Sequence, residues 1–267
     1  MRLCASVITY YPDIELLKKN LLAYYDYVEK IIIWQNTIVQ KELLKEVDLN
    51  EKIVYIGDGH NRGISNALNE IVKYSKQEGF THLLMMDQDS LFENFDYYFN
   101  QVKSFYCKDQ NIVQIGPEIN ESKIPLGQLA ECKYVITSGS IIDIDKTISL
   151  NGFRSDFFVD GIDLDFGYKV NKNGGKVCQI GGAVLIQNFG DTYQKGKRKI
   201  VSYSPKRLYD TVKTQVILWK EYPNYFHKFL FLKIYFVCMP LNILFYQDDK
   251  FNKLKAILKG FIAGMRN

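Results

Sequence analysis

Two aspartates one residue apart close an apolar run in this chain, His82-Leu83-Leu84-Met85-Met86-Asp87-Gln88-Asp89-Ser90. A buried strand ending in such a pair delivers two carboxylates to a sheet's carboxyl edge, where open α/β sheets bind ligands. Carboxylates so placed are costly unless a cation lies between them. Oxygen-only donors suit a hard divalent ion, Mg2+ or Mn2+, and such an ion commonly bridges to phosphates. A solvated acidic turn uses the same residue types, so the run alone leaves both readings open. A second acidic group, Asp160, Asp163 and Asp165, stands among Phe157, Phe158, Val159, Ile162 and Leu164. On a helix Asp160 and Asp163 would share a face and Asp165 would turn away. A carboxylate held beside apolar groups has its pKa raised toward the value a general base needs. Acids in a first helical turn also simply complement the macrodipole. The third polar stretch, Asp58-Gly59-His60-Asn61-Arg62-Gly63, precedes a helix. Its N–H groups and Arg62 can meet a phosphate or a base, or form an ordinary Asn/Gly turn.

The elements that position these groups follow from periodicity. Apolar runs at residues 3–9, 30–34, 52–56 and 82–87 read as buried strands. Between them Ile14, Leu17, Leu21 and Leu22, then Ile64, Ala67, Leu68, Ile71 and Val72, recur at helical spacing. Pro12 and Asp13 suit a helix start. Strands alternating with helices imply right-handed βαβ units and a mainly parallel sheet. After Ser90 the alternation weakens. Residues 95–105 read as helix, 112–116 as strand, and a helix beginning near Asp160 ends at Asn173-Gly174-Gly175. Short strands are expected around Val177 and Val184, and helices from Pro205 onward.

Bulk properties narrow the class. A chain of 267 residues with 47% hydrophobic and 24% charged residues can bury a large core. The net charge of +4 gives no argument for nucleic acid as a partner. Tyr 19 and Phe 17 are high counts that suit an aromatic-lined groove or a surface facing lipid headgroups. The cysteines, five in number, are scattered without a Cys-x-x-Cys pair, which argues against a disulfide framework and a zinc site. The N-terminus opens into a strand-like run, so no secretion signal is expected. His82 reads as a hydrogen-bonded core residue, and His60 and His227 offer no triad.

Taken in order, several runs resemble the inverting nucleotide-sugar glycosyltransferases of family 2, which have the GT-A fold, and most of all bacterial rhamnosyltransferases of polysaccharide assembly. They are Val7-Ile8-Thr9-Tyr10-Tyr11-Pro12, Asn61-Arg62-Gly63-Ile64-Ser65-Asn66-Ala67-Leu68-Asn69, Leu84-Met85-Met86-Asp87-Gln88-Asp89-Ser90, Thr137-Ser138-Gly139-Ser140 and Phe158-Val159-Asp160-Gly161-Ile162-Asp163. The Asp-Gln-Asp-Ser variant is what points to rhamnosyl transfer. The resemblance implies an α/β GT-A catalytic domain over residues 1–203, with a nucleotide-sugar half to about 116, and a C-terminal helical region over 204–267. It implies that Thr9, Tyr10 and Gln35 frame the base, and that Asn61 and Arg62 lie over the nucleotide. It gives Asp89 as the main metal ligand, Asp87 on the ribose or the metal, Gln88 and Asp160 on the substrate, and Asp163 as catalytic base. Asp160 is the alternative base. Three positions depart from the family: Gln35 stands for an Asp, Gln187 for a His that completes the metal shell, and Lys169 for an Arg, which loses the bidentate fork.

The implied reaction moves L-rhamnose from dTDP-rhamnose onto a lipid-linked saccharide, in the cytoplasm at the inner face of a bacterial membrane. A UDP-hexose donor is the alternative, and a nonenzymatic sugar-nucleotide binding or scaffold protein a further one. Residues 225–246 are rich in Phe, Leu, Ile and Tyr but are interrupted by Lys228, Lys233, Pro240 and Asn242, which argues against a span. Residues 250–266 read as a basic amphipathic helix, suited to peripheral membrane contact, or to packing on the catalytic domain or on a second subunit of a homo-oligomer.

Overall fold

A computed structural model describes the chain except residues 46, 48–50, 158–159, 188–190, 196–197 and 267, and the side chains of 191–195 and 198–201. The expected run at Phe158-Val159 therefore falls outside the described residues. Contacts divide the chain into two compact units, Met1–Asn188 and Phe189–Asn267.

In the first unit β1 (Leu3–Thr9), α1 (Ile14–Tyr24), β2 (Lys30–Gln35), β3 (Ile53–Ile56), α2 (Ile64–Gln77) and β4 (His82–Asp87) alternate as expected. They are followed by β5 (Leu91–Phe92), α3 (Phe95–Lys108), β6 (Ile112–Ile119), β7 (Leu129–Cys132), β8 (Ile141–Asp143), α4 (Ile144–Ser149), α5 (Ile162–Lys172) and β9 (Lys176–Ile186). The sheet runs β3-β2-β1-β4-β8-β6-β9-β5, with β7 paired to β9. β1 is parallel to β2 and β4, with Ile8 opposite both Trp34 and Asp87. β8 is antiparallel to both β4 and β6, and β6 is parallel to β9. The carboxyl ends of β1, β2, β4, β6 and β9 therefore share one edge. β1 and β4 are buried on both faces, as parallel strands covered by helices are.

Three local expectations change. Leu22 is 58% exposed, and the buried face of α1 is Leu17, Asn20, Leu21 and Tyr24. The helix start there is Asp13, whose Oδ1 accepts from the Leu16 N–H at 3.1 Å. Val177 and Val184 belong to one strand, β9, not two. Its pairing with β6 shifts register between Gly116 and Glu118, and Gly182 takes φ +84°, so a bulge absorbs what the sequence shows as a break. Helix α5 begins at Ile162, because Gly161 takes the left-handed conformation at φ 89°. Asp160 thus precedes the helix and does not share its face with Asp163.

The second unit holds β10 (Asp191–Lys195) antiparallel to β11 (Arg198–Ser202), then α6 (Pro205–Glu221), α7 (Lys228–Lys233), α8 (Met239–Tyr246) and α9 (Lys250–Arg266). A π turn, Ile234–Cys238, joins α7 to α8 into one helix. α6 and α9 approach to backbone contact: a Cβ at Gly260 would lie 2.5 Å from the Tyr209 carbonyl oxygen, and one at Gly264 2.6 Å from Val216 Cβ.

Candidate active site

The turn after β4 is held from three sides. Asn20, buried on α1, donates from Nδ2 to the carbonyls of Asp87 at 3.0 Å and Ser90 at 2.5 Å, while Tyr24 Oη donates to Asn20 Oδ1 at 2.8 Å. Ser138 Oγ accepts the Asp87 N–H at 3.0 Å and donates to Ser90 Oγ at 3.0 Å. Gln88 clamps the backbone of Tyr10. Its Oε1 accepts the Tyr10 N–H at 2.7 Å and its Nε2 donates to the Tyr10 carbonyl at 3.1 Å. Asn20 was not singled out by sequence, and Ser138 only as part of a matching run with no role assigned to it. Asn20 was visible as a polar residue on an apolar helix face, which a buried side chain occupies only with partners.

The carboxyl edge opens as a cavity of about 250 Å³ lined by Ile8, Tyr10, Asn36, Asn61, Gly63, Ile64, Asp87, Gln88 and Asp89. Of the residues singled out by sequence, this wall gathers Tyr10, Asn61, Asp87, Gln88 and Asp89. Asn36 is an addition; its Oδ1 accepts from Trp34 Nε1 at 3.1 Å and from the Arg62 N–H at 3.2 Å. Gly63 caps α2 at φ 78°, so the amino end of that helix meets the cavity, a favourable place for an anion. A second cavity, about 520 Å³, is formed from the same loops by Tyr11, Pro12, Thr37, Ile38, Gln40 and their neighbours.

Four expected residues do not line this cavity. Thr9 is fully buried and its hydroxyl donates to the Trp34 carbonyl at 3.1 Å, so it braces β2. Gln35 is 7% exposed and its Nε2 donates to the Val39 carbonyl at 3.3 Å. Arg62 pairs with Asp58 at 2.5 Å on the surface. Hydrogen bonds from the His60 N–H and Arg62 hold the Asp58 carboxyl below its usual range. Asp160 sits in the turn before α5.

Asp163 comes to β4 through the turn at Thr137-Ser138. Its Oδ1 accepts the Thr137 N–H at 2.9 Å and the Thr137 hydroxyl, while Ser138 holds Asp87. Gly139, at φ +77°, makes this turn possible: a Cβ there would meet Pro117 at 2.9 Å and Leu185 at 3.0 Å. Burial pushes the Asp87 carboxyl up to about 7, and the charges of Asp163 and Asp89 add to it. Burial also raises Asp163, against its bonds to Thr137, with Asp160 contributing. Three carboxylates are thus gathered where their mutual repulsion is felt.

Gln187, just past β9, completes the group. Its Nε2 donates to Asp87 Oδ2 at 2.6 Å. Asn120 fixes it by exchanging bonds of 2.9 and 3.0 Å with its backbone. Gln187 Oε1 is buried without a hydrogen-bond partner among the described residues. The last acid of the cluster, Asp165, is 1% exposed and pairs instead with Lys169 at 3.5 Å and Arg154 at 3.9 Å. Lys169 also donates to the Gly152 carbonyl at 2.7 Å.

The donor chemistry suits a hard cation. Asp87 and Asp89 offer carboxylates and Gln187 an uncommitted amide oxygen. Among the described residues no three His, Cys, Asp or Glu side chains form a metal group, so water and substrate phosphate would complete such a shell, as with Mg2+. Burial pushes the thiols of Cys4, Cys132 and Cys178 up to about 12, which leaves them protonated and poor nucleophiles.

No protein-family model matches the sequence, and no curated protein matches it. Among solved structures, GalNAc-T7 with UDP, GalNAc and Mn2+ superposes with a TM-score of 0.64 at 14% identity, over 100% of this chain and 56% of that one. S. aureus TarS 1-349 superposes at 0.65 both with UDP-GlcNAc, at 15% identity, and with UDP, at 14%; each covers 99% of this chain and 81% of that one. The fold is GT-A. This chain spans a little over half the length of GalNAc-T7 and about four fifths of TarS 1-349. Within its GT-A sheet, Asp87, Asp89 and Gln187 all lie at the carboxyl edge, and Asp163 reaches them from the start of α5.

Proposed function

We propose that the chain is an inverting glycosyltransferase that takes L-rhamnose from dTDP-rhamnose and adds it to a lipid-linked saccharide at the cytoplasmic face of a bacterial membrane. The observation that carries the reading is the convergence of Asp87, Asp89 and Asp163 at one sheet edge beside a helix amino end. The GT-A likeness and the UDP and UDP-GlcNAc bound in its structural neighbours support it.

In this reading the nucleotide diphosphate lies between the amino end of α2 and the turn after β4. Asp89, with Asp87 and Gln187, would hold the divalent ion, which when bound supplies Lewis-acid stabilisation of the diphosphate leaving group. Gln88 keeps the loop carrying Tyr10 and Tyr11 against β4, so those rings, 4.7 Å apart, frame the base. Asp163 takes the proton of an acceptor hydroxyl, and its raised pKa moves it toward a useful base at neutral pH. The alkoxide attacks the anomeric carbon opposite the diphosphate, and the configuration inverts.

A uridine-diphosphate hexose donor is the second reading, favoured by UDP and UDP-GlcNAc in the neighbours. The test is release of nucleoside diphosphate from dTDP-rhamnose and UDP-hexoses, with and without Mn2+ or Mg2+. Preferential turnover of dTDP-rhamnose is expected. If no donor is turned over, and none raises the melting temperature, the chain is not the enzyme proposed.

A further inference from the structure

The helix running through α7, the π turn and α8, Lys228–Tyr246, is 19 residues long; its most apolar 18-residue stretch has a mean hydropathy of 1.8, and only 11% of that stretch is buried. Its two sides differ. Phe231 and Ile243 are buried with Leu208 and Val212 of α6 and Ile257 of α9, and Phe236 meets Phe261 edge-on at 5.2 Å. The opposite stripe is bare, with Phe229 84%, Val237 52%, Leu241 49% and Phe245 68% exposed. Scattered apolar residues on a surface are ordinary, but a contiguous stripe of this size marks an interaction site.

Charge indicates what covers it. Residues 222–267 hold seven basic residues and two acidic ones, while the preceding 221 hold 27 and 28. The whole net positive charge of the chain is therefore concentrated in this segment. Lys228, Lys233, Lys250, Lys255, Lys259 and Arg266 are exposed; Lys253 alone is withdrawn, bonded to Ser202 at 2.8 Å and Gln247 at 2.9 Å. An apolar stripe edged mainly by cations fits an anionic lipid surface.

We infer that the outer stripe of Lys228–Tyr246 lies in the plane of an anionic bilayer, sunk into its headgroup layer. By length the helix could cross, but its inner stripe is tied to α6 and α9. Crossing would carry Lys206, Asp210, Lys213 and their neighbours on α6 into hydrocarbon, at roughly 2.5–3.5 kcal/mol for each charge. In the plane, those charges stay in water, and Lys228 and Lys233 reach the headgroups with their stems against the lipid. The sequence alone directs attention to α9. Phe251, Leu258 and Ile262 of α9 are indeed exposed, and the structure adds the outer stripe of Lys228–Tyr246, whose lysines and Pro240 argue only against crossing.

This inference does not rest on the donor reading, since lipid binding is measured without any sugar nucleotide. The full chain is floated with phosphatidylcholine vesicles, with and without phosphatidylglycerol. Flotation is expected only with the anionic vesicles, weakening at high salt and released by alkaline carbonate. Phe229→Glu with Phe245→Glu should cut partitioning at least about tenfold, since two exposed Phe side chains otherwise enter the lipid. Phe229→Trp should be quenched by brominated lipid, a reading that holds even if the charged variant folds poorly. Absence of flotation, equal flotation on neutral vesicles, or carbonate-resistant retention would overturn the proposal. So would a dimer in light scattering that Phe229→Glu dissociates, since the stripe would then be covered by a second copy.

Discussion

Replacing Asp163 by Asn tests the assignment of the base with little disturbance of the fold. The carboxylate uses Oδ1 to accept from the backbone and hydroxyl of Thr137, and an Asn oxygen can accept the same two bonds. The Thr137-Ser138 turn, and through Ser138 the Asp87 backbone, should therefore keep their places. What is lost is the second carboxylate oxygen as a proton acceptor. Positioned general bases contribute about 10²–10⁴-fold, or roughly 3–5 kcal/mol of barrier. Removing this charge also relieves Asp87 of a neighbour that raises its pKa, so donor binding should hold or tighten. The assay measures nucleoside diphosphate release for kcat and calorimetry for donor affinity, with Asp160→Asn in parallel. Loss of kcat by at least about a hundredfold, unchanged melting and retained donor binding are expected. Near-normal turnover in Asp163→Asn, with collapse in Asp160→Asn, would refute the reasoning and move the base to the turn before α5.

Gln187→Ala should release Asp87 from its 2.6 Å bond and weaken divalent-ion binding about 10–100-fold, read by calorimetry with Mg2+ and Mn2+. Gly139→Ala should destabilise by about 1–3 kcal/mol, because a side chain must take φ +77° against Pro117 and Leu185; chemical denaturation measures it. His82, its ring edge-on to Tyr106 at 4.5 Å, has its pKa lowered by burial to about 4 from 6.5. The unfolded chain then binds the extra proton, so the contribution is complete above pH 6.5 and is lost as pH falls toward 4. Melting temperature should drop over that window, and His82→Gln should flatten the drop.

The parallel half of the sheet was legible because β1, β2 and β4 are continuous apolar runs and α2 keeps a clean helical period. The ending of β4 at Asp87 could likewise be read directly. What escaped were contacts between distant segments. Asn20 and Ser138 meet the Asp87 turn from 67 and 51 residues away, and no local spacing reports that. β5, β7 and β8 are two to four residues long, too short for alternation to register. The bulge in β9 hid a continuous strand behind Gly181-Gly182. Asp160 was misplaced because a glycine in the left-handed region resets the helix register, and a pattern of spacings cannot express a change of handedness.

The middle residue of the Asp-Gln-Asp run bears on how such motifs are recognised. The Gln88 side chain both accepts from the N–H and donates to the carbonyl of one residue, Tyr10, just past the ends of β4 and β1. Neither a carboxylate nor an ammonium can do both, and a hydroxyl is too short for a two-point grip. A residue of another type at this position would leave the loop after β1 without this two-point hold. The identity of that one amide is thus a sorting criterion among sequences that otherwise share the same pair of acids.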